Sequence, residues 1–170
     1  MKSSNNFSNS NSFEVKQSFD SSKIRRVPYE IERRLKNSAE NFFKMGLMDD
    51  LNNKTIYSDE SIAHLDVWIP IIATAKLTDD ERYFYLFHIV SYFGQYMLTK
   101  FKGNWVFNTM TGTDFAVDFL IKLTEKHEVY YPIGMHLYNL IYKGEGDSLK
   151  SKILSLEMIA SVYKKFDSKN

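Results

Sequence analysis

The stretch from Tyr83 to Phe101, YFYLFHIVSYFGQYMLTKF, constrains this chain more than any other. Thr78 and Glu81 stand just before it at the spacing of a capping box, in which each satisfies a free amide of the first helical turn, so a helix begins there. That helix is apolar around most of its circumference, as only an element packed on several sides can be. His88, Ser91, Gln95, Thr99 and Lys102 interrupt the apolar surface at intervals of three or four residues and fall on one narrow stripe. The simplest account of the stripe is a water-facing edge; a buried polar network or a ligand surface are the alternatives. Gly94, beside the stripe, costs about 1 kcal/mol relative to Ala inside a helix. Close packing of the hairpin or of the second helix against it is the expected reason.

With 170 residues, 44% of them hydrophobic, there is enough chain to wrap one core around this helix without disulfides. Residues 1–22, rich in Asn and Ser, read as a disordered tail, and 23–170 as a single domain. Pro28 suits a helix start, and Ile31, Leu35, Ala39 and Phe42 give a first helix over 29–45 with Gly46 as its stop. Residues 47–57, with Asn52-Asn53, read as a loop. Ser58 caps a second helix with Asp59 and Glu60 in its first turn and Ile62, Leu65, Ile69 and Ile72 along one side; Pro70 predicts a kink or break.

After Gly103 the pattern becomes strand-like: Trp105–Phe107, a turn at Thr111–Asp114, Phe115–Leu120, and a third strand at Glu128–Tyr131 ended by Pro132. His136–Tyr142, with Ile133, reads as a short helix closed by Gly144. Leu149, Ile153, Leu156, Ala160 and Tyr163 mark the last helix. The expected class is α+β: four or five helices with a small antiparallel hairpin or three-stranded sheet between the third and last helices.

The absence of cysteine excludes disulfides, thiolate metal sites and cysteine nucleophiles. No apolar run reaches the roughly 18 residues of a membrane span, and the first 22 residues lack a signal peptide's apolar stretch, so a cytoplasmic protein without membrane association is expected. A net charge of +1 hides a basic segment over 1–46 (9 basic, 5 acidic) and an acidic one over 47–82 (3 basic, 8 acidic). Lys23, Arg25, Arg26, Arg33 and Arg34 are diluted by Glu30 and Glu32 and accompany no nucleic-acid motif, so nucleic acid is not the expected partner. The acidic segment would suit a basic partner, with Asp49, Asp50, Tyr57, Asp59, Glu60 and Trp68 as candidate contacts, although acids at helix ends and in loops have a purely structural use.

His64, His88, His127 and His136 show no metal-ligand spacing, and no phosphate loop or nucleophile motif occurs, so no cofactor and no enzymatic activity are expected. His88, Ser91, Gln95 and Trp105 are the candidates for a pocket between the central helix and the hairpin. That pocket would make the chain a small-ligand or regulatory module.

Gly94-Gln95, then Gly103-Asn104-Trp105, Tyr131-Pro132, and Gly144-Glu145-Gly146-Asp147-Ser148 follow one another over about half the chain. In this order they resemble a group of small, mostly uncharacterised bacterial helix-rich domains with Gly-Glu, Gly-Gly-x-Trp, Asn-Pro and Gly-x-x-x-Ser motifs. Gln95 and Asn104 depart from that pattern. Some such domains are immunity-protein-like, and the resemblance implies a non-enzymatic protein that binds and neutralises a cognate toxin.

Overall fold

The computed structural model describes residues 24–45, 56–108 and 117–168. Its elements run β1 (Ile24–Arg26), α1 (Tyr29–Lys44), α2 (Asp59–Thr74), α3 (Asp79–Lys100), β2 (Lys102–Asn108), β3 (Val117–Lys122), β4 (Glu128–Tyr131), α4 (Ile133–Tyr138), a π-helical segment at Asn139–Lys143, and α5 (Leu149–Asp167). The class is α+β, with most of the sheet between α3 and the later helices.

The aromatic-rich helix is central, as its all-round apolar surface requires. Leu86, Ile89, Val90, Tyr92, Phe93, Tyr96 and Met97 of α3 are all buried, and α1, α2, α4, the π-helical segment and β2 all touch it. Its capping box forms as expected: Thr78 Oγ1 accepts from the Glu81 amide, and the Glu81 carboxylate accepts from the Thr78 amide at 2.8 Å. Ser58 caps α2 in the same reciprocal way with Ser61.

The sheet is antiparallel, in the order β1-β2-β3-β4. Trp105 pairs with Phe119, and Phe119 in turn with Tyr131, so one row of large aromatic side chains crosses three strands and enters the core. The sheet has one strand more than the pattern predicts. Ile24–Arg26 pairs with Val106–Asn108, and the Val27 amide extends the ladder to the Trp105 carbonyl at 3.1 Å. Three residues carrying two arginines have no alternation to read, and an edge strand needs only backbone donors and acceptors.

Two other expectations change. Pro70 does not break α2, which runs from Asp59 through Thr74. Ile69 and Ile72 anchor both sides of the proline in the core, and Thr74 Oγ1 donates to the Pro70 carbonyl at 3.0 Å. The short helix expected over His136–Tyr142 starts earlier, at Ile133, and its last five residues widen into a π-helical segment that Gly144 closes at φ +66°. The expected tail, the loop containing Asp49, Asp50 and Asn52-Asn53, Gly46, and the turn at Thr111–Asp114 lie outside the described residues.

Candidate functional site

A groove of about 480 Å³ lies between the outer face of α1, the C-terminal half of α3, and strands β1 and β2. The α1 wall carries Tyr29, Arg33, Lys36 and Glu40, spaced so that one polar face of the helix looks into it. Gln95 and Leu98 form the α3 wall, while Arg26, Asn104 and Trp105 come from the strands. Of the four sequence-predicted pocket residues, Gln95 and Trp105 meet here. The Gly94-Gln95 and Gly103-Asn104-Trp105 motifs, eight residues apart in sequence, thus converge on one groove.

The position of Trp105 follows from Gly94. The indole lies against the α3 backbone at that glycine, so close that a Cβ there would sit 2.0 Å from Cη2. Packing from the hairpin therefore explains the glycine in mid-helix. Trp105 is 1% exposed, and its Nε1 is buried without a hydrogen-bond acceptor among the described residues. The other indole differs: Trp68 Nε1 donates to His64 Nε2 at 2.7 Å. A buried polar atom left unpaired costs about 1–3 kcal/mol, and among the described residues Trp105 Nε1 shares this state with the Tyr57 hydroxyl and Asn139 Oδ1. Electrostatically the groove is mixed. Arg26 pairs with Glu32 at 3.6 Å and Lys36 with Glu40 at 4.0 Å, and Arg33 has no carboxylate partner among the described residues.

His88 and Ser91 take no part in the groove. Ser91 is fully buried and donates from Oγ to the Phe87 carbonyl of its own helix at 2.7 Å. His88 Nδ1 lies 2.7 Å from Ser38 Oγ and 3.2 Å from the Ser38 carbonyl on α1, with Phe84 packed edge-on to the ring. Burial holds its imidazole below the ordinary range. The upper part of the polar stripe is therefore a helix–helix seam, and only its lower end, at Thr99 and Lys102, faces water.

The candidate acidic face is largely spent on the fold. Asp59 accepts from the Tyr96 hydroxyl at 2.7 Å and pairs with Lys100 at 2.9 Å, which together hold its carboxyl below the usual range. Asp66 caps α5, accepting from the amides of Leu149 at 2.7 Å and Lys150 at 3.0 Å. Tyr57 takes φ +65°, donates its amide to the Tyr92 hydroxyl at 3.1 Å, and packs on that ring; burial pushes its phenol up to about 12. Trp68 is half-buried and Glu60 is exposed.

Two polar clusters had no sequence signal, because their members are distant or differently placed in the chain. Asp118, buried on β3, accepts from the Tyr130 hydroxyl and from the Gly134 amide, and burial raises its carboxyl above the usual range. Tyr131 donates its hydroxyl to His136 Nδ1 at 2.5 Å, so the Nε2–H of His136 donates to the Asp147 carbonyl at 2.7 Å. Both clusters fasten the sheet to α4 and the following turn. Among the described residues, no group of three or more His, Cys, Asp or Glu could hold a metal ion, and no helix is long and apolar enough to cross a membrane.

The last helix has two apolar faces. Leu149, Ile153, Leu156 and Ala160 enter the core, whereas Leu154, Met158, Val162 and Phe166, one helical turn apart, point away from it with Ile159 beside them. Met158 is 71% exposed and Phe166 64%. The C-terminal end of the helix borders a cleft of about 880 Å³ into which Lys100, Lys102, Lys122, Lys164 and Lys165 project against Glu125 and Glu157. Lys100 and Lys122 are held in short ion pairs, with Asp59 and Glu125. No family model, curated protein or solved structure matches this chain.

Proposed function

We propose that this protein is a non-enzymatic binding protein of the immunity type, acting in the bacterial cytoplasm to neutralise a cognate toxin by direct contact, and that the outer face of α5 makes the contact. The carrying observation is the exposed apolar stripe Leu154–Met158–Val162–Phe166, uncovered by any element among the described residues, on a helix whose opposite face is already buried. Its exposed side chains amount to roughly 450 Å², the size of the largest patch that a monomer leaves open to water. The adjoining lysine-rich cleft gives the partner a chemistry: an apolar patch with an acidic rim. The Gly-Gln, Gly-x-Trp and Gly-x-x-x-Ser resemblance supports the same role, which needs a stable scaffold and a few anchors but no catalytic group.

The test is co-expression with the product of the neighbouring gene in cells that this product kills. The parent chain restores growth and co-purifies with the toxin, whereas Met158→Glu combined with Val162→Glu does neither while keeping its helical circular dichroism. Rescue by the doubly charged variant, or no rescue by the parent, overturns the proposal. Light scattering of the purified chain covers the competing occupant. Two copies joined through these four side chains would bury on the order of 900 Å², short of the roughly 1,000 Å² that a stable interface needs, and a parent dimer that the double variant makes monomeric would assign the face to self-association.

A further inference from the structure

We infer that the lysine-lined cleft between the C-terminal ends of α3 and α5 and the β3–β4 turn is a binding site for a compact oligophosphate, a molecule carrying several phosphoryl groups close together. The same cleft supplies the basic rim of the proposed partner surface. Anion binding by the isolated chain needs no partner on α5, so either reading can fail alone.

The arrangement of the lysines carries the inference. Lys102 and Lys122 stand directly opposite each other in the β2–β3 register. Like charges so placed destabilise a sheet, and the fold gains nothing from the pair. Both ammonium groups converge on one carboxylate: Lys122 Nζ lies 2.5 Å and Lys102 Nζ 3.9 Å from Glu125. The Lys122 hydrogen bond and charge hold the Glu125 carboxyl below its usual range. Glu125 is 78% exposed and Lys102 82%, and ion pairs this open to water are weak. Glu125 is thus a tethered anion that a more highly charged one can displace.

Charge and ligand type follow from the remaining walls. Lys164 and Lys165 line the cleft from the last turn of α5, exposed and without a carboxylate partner among the described residues. Lys100 is spent on Asp59, at 2.9 Å. The other four lysines face Glu125 and Glu157, an excess of two positive charges that a monoanion would not neutralise. No arginine lines the cleft among the described residues. Ammonium groups are point charges without the planar fork that favours a carboxylate, so they select by charge density, which is highest in linked phosphates. Phe101, the one ring on the walls, is half-buried, which leaves a nucleobase little to stack on. The volume, about 880 Å³, is more than one phosphate fills.

Calorimetric titration of the full chain in about 50 mM NaCl with sodium tripolyphosphate, ATP and hexaglutamate provides the test. Tripolyphosphate should bind with a Kd below about 1 mM and weaken at least about tenfold in about 300 mM NaCl. ATP should bind about equally through its phosphates; ATP binding far more tightly keeps the site and makes a nucleotide the source of the phosphates. Lys164→Ala combined with Lys165→Ala should weaken binding about tenfold, and Glu125→Gln, which removes the tethered competitor, should strengthen it about threefold. Lys76→Ala, before the opposite end of α3 and about 30 Å away, should leave it unchanged. Every replaced side chain is exposed, so helical circular dichroism should be the same throughout. A Kd for tripolyphosphate above about 1 mM overturns the inference. So does undiminished binding by the double lysine variant, or a Glu125→Gln chain that binds no more tightly than the parent. Hexaglutamate binding as tightly as tripolyphosphate would also overturn it and make the cleft a seat for an acidic peptide.

Discussion

Gly94 and Trp105 interlock so closely that no side chain fits between them: a Cβ on Gly94 would lie 2.0 Å from the indole Cη2 and 2.1 Å from Cζ2. Helix propensity alone makes Gly94→Ala favourable by about 1 kcal/mol. Forcing a methyl group into a packed interface costs about 1–3 kcal/mol and more when a rigid ring must move. The indole, 1% exposed, is enclosed on its other sides. Gly94→Ala should therefore lower stability by about 1–2 kcal/mol in urea unfolding and change the Trp105 emission. Equal or higher stability would mean that the ring moves aside freely.

Arg82 gathers the end of α2 and the π-helical segment into one fork. Its Nη1 donates to the carbonyls of Ile72, Ala73 and Ile141 at 3.0–3.2 Å and its Nη2 to that of Ala75 at 3.2 Å, with Tyr142 beneath the guanidinium. A lysine keeps the charge but cannot span this spread of acceptors. Arg82→Lys should cost about 2 kcal/mol, or about 5 °C in melting temperature. An unchanged melting curve would show that water serves those carbonyls equally well.

His136 and His88 make stability depend on acidity. Burial holds both imidazoles below their ordinary range, with the Asp147 and Ser38 carbonyls opposing it in part. Well above a pH of about 6.5 both rings are neutral, folded or unfolded, and no penalty arises. As the pH falls below that, the unfolded chain takes up protons that the fold refuses, so stability declines until the folded rings protonate. For His136, protonation also removes the Nδ1 lone pair that accepts from Tyr131. Asp118, whose carboxyl is raised, contributes with the opposite sign, gaining stability as the pH falls through the carboxylate range. Melting temperatures should drop from pH 7.5 to about 5.5, and His136→Gln or His88→Gln should each flatten the slope. A variant with the parent's slope would remove that histidine from the account.

The outer face of α5 should tolerate charge in the isolated chain. Met158 and Val162 are exposed, so Met158→Glu and Val162→Glu should each shift stability by no more than about 0.5 kcal/mol, whereas Leu156→Ala on the buried face should cost about 2–4 kcal/mol. If the outer-face substitutions proved as costly as Leu156→Ala, the stripe would be part of the folding core.

The helices were legible because their signals are local. Ser58, Thr78 and Ser148 cap helices with hydroxyls a few residues from the amides they serve, and the apolar positions of α1, α2 and α5 repeat at helical spacing. Strand β1 was not, since two arginines in three residues hide an edge whose bonds are all main-chain. The groove was half legible: Gln95 and Trp105 carry motif signals, but Tyr29, Arg33 and Lys36 read as the ordinary polar face of an amphipathic helix until α1 packs across α3.

The sequence by itself determined an α+β chain built around one aromatic helix, because periodicity and capping act over a few residues. Tertiary structure alone decided that the upper polar stripe is a seam with α1, that Asp59 and Asp66 serve the fold, and that Trp105 packs against the α3 backbone at Gly94. Those relationships join residues up to 84 positions apart, and only the packing of complete elements sets such distances.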